Sequence, residues 1–265
     1  MARPRGTFAQ HALALAGGRR PPFALCYHGI GRETPATDPH GLMITPERFA
    51  AHLDALVTRG YRLVGVTELW QAVAHGGRAA DGLGAITFDD GLADTLHLAA
   101  DLLAARQATA TAFLAPGMLG ADHPDLAPGR RILRADEVPA LETLGFEIGV
   151  HSYDHADLLP LPEPQQEADL RRSREFVEAL VGHPVRIMAY PFGRYDAVTV
   201  RAARAAGFTI ACTVAGCGPW DPLALPREPV FPSTTPGRVR VKAAGLYGPL
   251  RTLRAGTRLH RGRRP

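Results

Sequence analysis

Two polar clusters in this chain could perform chemistry, and each directly follows an apolar run. The first is the adjacent carboxylate pair Asp89 and Asp90, and the second is a pair of histidines four residues apart, His151 and His155. The apolar runs predict buried strands, and ligands collect at the carboxyl ends of strands in α/β folds. One carboxylate and two imidazoles suit a catalytic divalent metal, and the other carboxylate is then left to act as a base on water.

Each cluster also has a structural interpretation. Asp-Asp-Gly after a strand is typical of a turn, and two loop histidines need not bind a metal. Their occurrence together, each at the end of a strand in one α/β pattern, favours the metal site.

The string Thr87–Gly91 (TFDDG), followed by HSxxH from His151, resembles the first two motifs of the polysaccharide deacetylases, the NodB-like carbohydrate esterases of type 4. The resemblance extends from about Phe23 to about Val230. It implies a distorted (β/α) barrel of about seven parallel strands, the NodB-like deacetylase fold. Hydrophobic periodicity predicts an α/β fold with parallel strands, but it does not separate an open sheet from a barrel.

Alternating apolar and amphipathic segments divide the chain into elements. The predicted strands span 23–27, 61–66, 84–88, 109–114, 146–150, 185–189 and 208–214. A helix is predicted over 92–106, and a Pro/Gly-rich loop over 118–133. The domain boundaries are a flexible leader at 1–22, a deacetylase domain at 23–237 and a basic tail at 238–265.

The resemblance assigns roles to the residues that match the motifs. Asp90, His151 and His155 correspond to the ligands of a divalent metal, with zinc as the first choice and cobalt, nickel or manganese as alternatives. Asp89 corresponds to the general base. The segment Tyr190-Pro191-Phe192-Gly193 resembles the third motif, so the backbone N–H of Phe192 would stabilise the oxyanion.

Two family residues are missing. Ala189 occupies the place of the motif arginine that orients the base, and no Leu-x-His occurs near the C-terminus. Tyr27-His28-Gly29-Ile30 resembles the opening strand of the poly-N-acetylglucosamine deacetylase branch, which implies that His28 is the general acid. Arg227 is the candidate to orient Asp89, although it could equally be a surface arginine.

Three further residues are predicted to bind substrate: Tyr190, Trp220 and Asp221. Trp220 and Asp221 could line a pocket in which a sugar stacks on the indole ring. The alternative is a loop tryptophan packed on the body of the protein.

The formal net charge of +4 is unevenly distributed. Residues 238–265 carry nine basic residues and no acidic one, which leaves 21 basic and 26 acidic residues in the remainder. The basic tail predicts either peripheral contact with an anionic membrane or a solvated disordered segment. Nucleic acid is not an expected partner, because the body is acidic and carries no recognition motif.

Three cysteines without CxxC spacing favour a reducing compartment. Because the N-terminal stretch also lacks the apolar core of a signal peptide, the expected location is the cytoplasm, either free in solution or attached to the inner membrane face.

The expected function is metal-dependent removal of acetyl groups from N-acetylhexosamine units of a polysaccharide or glycan intermediate. The alternatives are an O-deacetylase or amidohydrolase acting on a small or lipid-linked sugar, and a non-catalytic glycan-binding barrel. The sequence leaves the identity of the glycan and the oligomeric state open.

Overall fold

The computed structural model describes residues 18–94, 98–214 and 220–246. The strands of this part are β1 (Phe23–Tyr27), β2 (Gly29–Ile30), β3 (Met43–Ile44), β4 (Arg62–Val64), β5 (Leu83–Phe88), β6 (Ala110–Leu114), β7 (Phe146–Val150), β8 (Ile187–Ala189), β9 (Ile210–Thr213), β10 (Leu225–Pro226) and β11 (Glu228–Pro229). Its α-helices are α1 (Pro46–Val57), α2 (Val66–His75), α3 (Ala100–Ala104), α4 (Val138–Thr143), α5 (Glu163–Val181), α6 (Ala197–Ala205) and α7 (Pro236–Ala243).

The fold is a nearly closed barrel of parallel strands surrounded by helices, as predicted. The strand order is β11, β1, β5, β6, β7, β8, β9, β10, with β4 also paired to β5. All seven predicted strands are present, and the described residues add the two-residue strands β10 and β11. Strands β2 and β3 form a separate small parallel pair.

One short segment connects the two edges of the sheet. Leu225–Pro226 pairs with β9, and Glu228–Pro229 pairs with β1 at the other end of the strand order. Arg227 lies between these two pairings, and its backbone N–H donates to the carbonyl of Thr213 over 3.1 Å. The closure of the barrel therefore fixes the position of this arginine.

Alternate residues of the strands pack on opposite sides of the sheet, as the two-residue period of a strand requires. Tyr27 and Phe88 pack against Phe49 of α1, with ring centroids between 5.2 and 5.7 Å apart. Phe113 and Cys212 belong to the other apolar cluster, which faces the barrel interior.

The helix predicted over 92–106 starts later and is less regular than expected. Among the described residues of this segment, Asp94 is helical, residues 98–99 form a π-helical turn, and regular α-helix spans Ala100–Ala104. The backbone after Gly91 instead pairs with a later loop: Ala93 donates to the carbonyl of Arg131, and Leu133 donates to that of Gly91. Local periodicity could not reveal this competition, because the partner lies about forty residues away in sequence.

The boundary predicted at residue 237 was wrong, because it falls inside α7. Thr235 caps this helix, Val239 is fully buried, and Lys242 forms a buried ion pair with Glu228 over 3.0 Å. The charge of Lys242 is therefore directed into the body. Residues 247–265 lie outside the described residues, so contact of the tail with a membrane stays a prediction.

The predicted leader is also partly docked. The carbonyl of Arg20 accepts a hydrogen bond from Gly82, and Arg19 pairs with Asp81. Residues 1–17 lie outside the described residues. None of the helices in the described part is long and apolar enough to cross a bilayer.

We predict that Val239→Ala destabilises the protein by about 1–3 kcal/mol, because it removes two buried methyl groups at the contact between α7 and the barrel. Urea unfolding measures the effect. Arg238→Ala, at the exposed neighbouring position, is the control and should change stability by less than about 0.5 kcal/mol. Equal stability of the two variants would show that α7 is not part of the folded body.

Candidate active site

The candidate site lies at the carboxyl ends of the parallel strands. His28 follows β1, Asp89 and Asp90 follow β5, and His151 follows β7. The strand pairing continues into these residues, since the N–H of Asp89 donates to Tyr27 O over 3.0 Å. They open into a cavity of about 300 Å³, whose lining is His28, His40, Leu42, Asp89, Asp90, His123, Asp125, His151, His155, Phe192, Gly193 and Val214.

Arg227 forms a bidentate ion pair with Asp89. Its Nη1 lies 2.6 Å from Asp89 Oδ1, and its Nη2 lies 2.8 Å from Oδ2. Arg227 is fully buried and also donates to Thr87 Oγ1 over 2.8 Å. Arg227 thus makes with Asp89 the contact that the sequence suggested in place of the missing motif arginine.

This pair sets the charge of Asp89. Burial by itself raises the pKa of the carboxyl, but the nearby Arg227 guanidinium outweighs it, with a further contribution from His151, and lowers the pKa to about 2. Asp89 is therefore ionised at neutral pH. Only the ionised form of a carboxyl can accept a proton, and the ion pair also fixes the orientation of both oxygens.

Cys26 touches the same carboxylate. Its Sγ lies 3.3 Å from Asp89 Oδ2, and burial raises the pKa of the thiol well above its usual value. The neutral thiol donates to Asp89. Cys26, His28 and Asp89 have potential ligand atoms within 4.8 Å of one another, but Arg227 already engages both oxygens of Asp89 and opposes a cation there.

The second cluster suits a metal better. Asp90 Oδ1 lies 3.7 Å from His151 Nε2 and 3.5 Å from His155 Nε2. This oxygen is buried and has no hydrogen-bond partner in the described structure. A buried carboxylate oxygen facing two imidazole nitrogens is the arrangement that a divalent cation would complete.

Both histidines can present a lone pair. The Nδ1 of His151 lies 2.8 Å from the carbonyl of Ala189, so Nδ1 carries the hydrogen and Nε2 is left as the ligand atom. Burial lowers the pKa of His155 to about 4, so this imidazole is neutral at neutral pH. The donor set therefore fits a divalent metal.

The site concentrates unusual backbone conformations. Five non-glycine residues in the described ranges have positive φ, and four of them lie here: Asp90, Ser152, His155 and Phe192. Such conformations cost about 1–2 kcal/mol each and cluster at functional sites. At Asp90, with φ of 68°, the turn sends the second carboxylate away from Arg227 and towards the histidines.

Phe192 lies where the third motif predicts it. The residue is 59% exposed, and its ring centroid is 4.7 Å from that of His155. The turn is held by the Thr213 hydroxyl, which donates to Gly193 O over 2.6 Å. A Cβ at Gly193 would lie 2.6 Å from the backbone nitrogen of Val214, so only glycine permits this approach.

The structure does not place the predicted substrate-binding residues in the cavity. Tyr190 is fully buried, and its hydroxyl donates to the carbonyl of Leu223, so its predicted contact with substrate was wrong. Trp220 packs against the barrel-interior cluster, which is the structural alternative. Asp221 accepts from the N–H of Leu223 over 3.0 Å in a local turn.

His123 is a site residue that the sequence did not identify. It is 3% exposed and its Nε2 lies 3.2 Å from Asp90 Oδ2. It belongs to the Pro/Gly-rich stretch that was predicted to be a loop, where hydrophobic periodicity gives no information. The pairing of this stretch with the backbone after Asp90 is what brings it to the site.

Comparison with known proteins identifies the relationship. The sequence profile described as "Polysaccharide deacetylase" matches residues 77–211, slightly more than half of the chain. The chain belongs to the polysaccharide deacetylase family. The polysaccharide deacetylase homologue YxkH of Bacillus subtilis is 25% identical over 189 residues, which are 71% of this chain and 63% of YxkH. The match thus spans less than two thirds of that relative.

Solved structures show the same fold. The deacetylase PplD of Streptococcus pyogenes, determined in complex with acetate, is 22% identical, with a TM-score of 0.72 over 83% of this chain and 96% of PplD. IcaB from Ammonifex degensii is 24% identical, with a TM-score of 0.72 over 85% of this chain and 97% of IcaB.

We predict that Arg227→Met destabilises the protein by about 3–5 kcal/mol, because it leaves the Asp89 carboxylate buried without its partner. The same substitution in an Asp89→Asn background should lower the free energy of unfolding much less, because no unpaired carboxylate charge is then buried. Urea unfolding of the four proteins measures this coupling.

The pH dependence provides a second readout for the same pair. The folded pKa of Asp89 is depressed to about 2, against about 3.9 in an unfolded chain. Its contribution to stability is therefore present above about pH 4 and lost as the pH falls towards 2. If Arg227→Met and Asp89→Asn change the free energy of unfolding additively, the ion pair is contradicted.

Proposed function

We propose that this protein is a metal-dependent hydrolase that removes acetyl groups from N-acetylhexosamine units of a glycan. The observation that carries the proposal is the placement of an ionised Asp89, held by Arg227, beside the cluster of Asp90, His151 and His155. A base and a metal-ligand set share one cavity of a polysaccharide deacetylase fold. Zinc is the first choice of metal, with cobalt, nickel and manganese as alternatives.

The residues divide the reaction between them. A divalent ion held by Asp90, His151 and His155 would supply Lewis-acid polarisation of the acetyl carbonyl and lower the pKa of water. Asp89 accepts the proton of the attacking water. The backbone N–H of Phe192 donates to the developing oxyanion.

His28 is positioned to act as the general acid. Its ring lies on the cavity wall, and a ring nitrogen is within 4.8 Å of an Asp89 oxygen. An amine is a poor leaving group unless it is protonated, so cleavage of an N-acetyl bond requires a donor on the leaving-group side. Protonated His28 delivers that proton to the departing nitrogen.

The rival proposal of a glycan-binding barrel without catalysis explains the site less well. Burying the charges of Asp89 and Arg227 costs several kcal/mol in desolvation before their attraction offsets it. A binding module has no use for a buried carboxylate kept ionised beside a metal-ligand set. A base needs both its charge and its fixed orientation.

The surroundings of the cavity support a glycan substrate over a small sugar. A second cavity of about 540 Å³ adjoins the first, and His40 lines both. Phe231, which is 45% exposed, lines the second cavity together with Arg48. Exposed aromatic rings beside polar groups are the surface on which successive sugar rings of an extended chain would pack.

The first test separates the two aspartates. Asp89→Asn should retain the metal and lower acetate release from N-acetylglucosamine oligomers by about a hundredfold or more, because only the base is lost. Asp90→Asn should weaken metal binding itself. Metal content and acetate release are measured on both variants with zinc added. Equal loss of metal from the two would refute this division of roles.

The second test concerns His28. His28→Ala should depress hydrolysis of an N-acetyl amide far more than that of an acetyl ester with an activated phenol leaving group, which departs without a proton. His75→Ala is the control, because His75 is exposed on α2 and lines neither cavity. Equal losses on amide and ester for His28→Ala would return this residue to a structural role.

A further inference from the structure

We propose that His123 is a positioning residue that aims the metal ligand Asp90. Its Nε2–H donates to Asp90 Oδ2 and so turns Oδ1 towards His151 and His155. The inference rests on the metal site of the proposed function. It adds a residue that lies outside the motifs on which the family resemblance depends.

The hydrogen bonds of His123 define which nitrogen is the donor. The backbone N–H of Asp125 donates to His123 Nδ1 over 3.2 Å, so Nδ1 offers a lone pair and the hydrogen of the neutral ring resides on Nε2. That nitrogen lies 3.2 Å from Asp90 Oδ2. His123 and Asp90 are both almost fully buried, so water does not compete for this bond.

The two oxygens of Asp90 therefore have separate roles. Oδ2 is bound by His123, while Oδ1 has no hydrogen-bond partner among the described residues and faces the two histidines. A carboxylate held at one oxygen cannot rotate freely about its side-chain torsions. Fixing it in advance lowers the entropic cost of binding a metal at the other oxygen.

The backbone holds His123 in register with Asp90. We call residues 120–133 the arm. Within the arm, the backbone N–H of His123 donates to the carbonyl of Arg130 over 2.8 Å. The C-terminal end of the arm pairs with the residues that follow Asp90. The N–H of Leu133 donates to the carbonyl of Gly91 over 2.9 Å, and the N–H of Ala93 donates to that of Arg131 over 3.0 Å. The turn that carries the ligand and the arm that carries its donor are thus parts of one hydrogen-bonded unit.

The geometry distinguishes this role from that of a fourth ligand. Two three-residue groups in the described structure have donor atoms that all lie within 4.8 Å of one another, and the one around Asp90 contains His151 and His155 but not His123. The hydrogen on Nε2 also occupies the lone-pair position that a metal would need. His123 therefore acts on the metal through Asp90.

The test compares two substitutions of similar size that differ in the donor. His123→Gln retains an N–H that reaches towards Asp90, whereas His123→Met fills the space without one. We expect zinc affinity, measured by competition with a chromophoric chelator on full-length protein, to fall about 10–100-fold in His123→Met. His123→Gln should recover most of that loss, and His75→Ala, at an exposed position of α2 that lines neither cavity, should bind zinc as the wild type does.

Turnover provides the second readout. At saturating zinc, His123→Met should regain most of its acetate release, because the reacting groups are intact and only metal binding is weakened. Wild-type affinity in His123→Met would overturn the proposal, as would equal weakening in the Gln and Met variants when both unfold at the wild-type urea concentration. Failure of the wild type itself to bind zinc would instead refute the metal site of the proposed function, and this inference with it.

Discussion

The site depends on the buried ion pair between Asp89 and Arg227. A carboxylate without a partner in this position would be protonated or would destabilise the barrel, because an isolated buried charge is costly. The guanidinium engages both oxygens, which fixes their orientation as well as their charge. Arg227 reaches this position because the chain passes from pairing with β9 to pairing with β1 at that residue. Closure of the barrel therefore also keeps Asp89 ionised, because it brings Arg227 to this carboxylate.

Two adjacent aspartates acquire different environments through a single backbone turn. Asp89 remains with the strand and points to the arginine, while Asp90 adopts a positive φ and points to the histidines. Burial raises the pKa of each carboxyl, but the neighbouring groups lower it by a larger amount, so both carboxyls are ionised. One carboxylate is neutralised by a permanent cation of the protein. The other is left with one oxygen free to meet a cation from solution.

What the sequence predicted correctly was local. The seven strands were predicted from apolar runs, and the two polar clusters expected at strand ends do lie in one cavity. The position of Arg227 was suggested by chemistry, since a base without its motif arginine needs another partner. The contact itself depends on strand pairing between distant segments, which periodicity does not encode.

The sequence-based predictions were wrong or incomplete where contacts between distant segments determine the local structure. Tyr190 belongs to a recognisable motif, yet its side chain points into the body, because the turn exposes Phe192 in its place. The residues directly after Gly91 pair with the arm, so the helix starts later than the periodicity predicted. His123 had no motif to mark it and becomes significant only once the arm is folded beside Asp90.

The central claim is that Asp90, His151 and His155 hold one metal next to a base that is bound by arginine. X-ray absorption spectroscopy on the zinc-loaded protein tests it directly, because Cys26 and Asp89 with His28 form the competing group of potential ligands. The account predicts two imidazole nitrogens and carboxylate or water oxygens at about 2.0–2.2 Å, with no sulfur. A zinc–sulfur distance of about 2.3 Å would place the metal at Cys26 and contradict the assignment of Asp89 as the base.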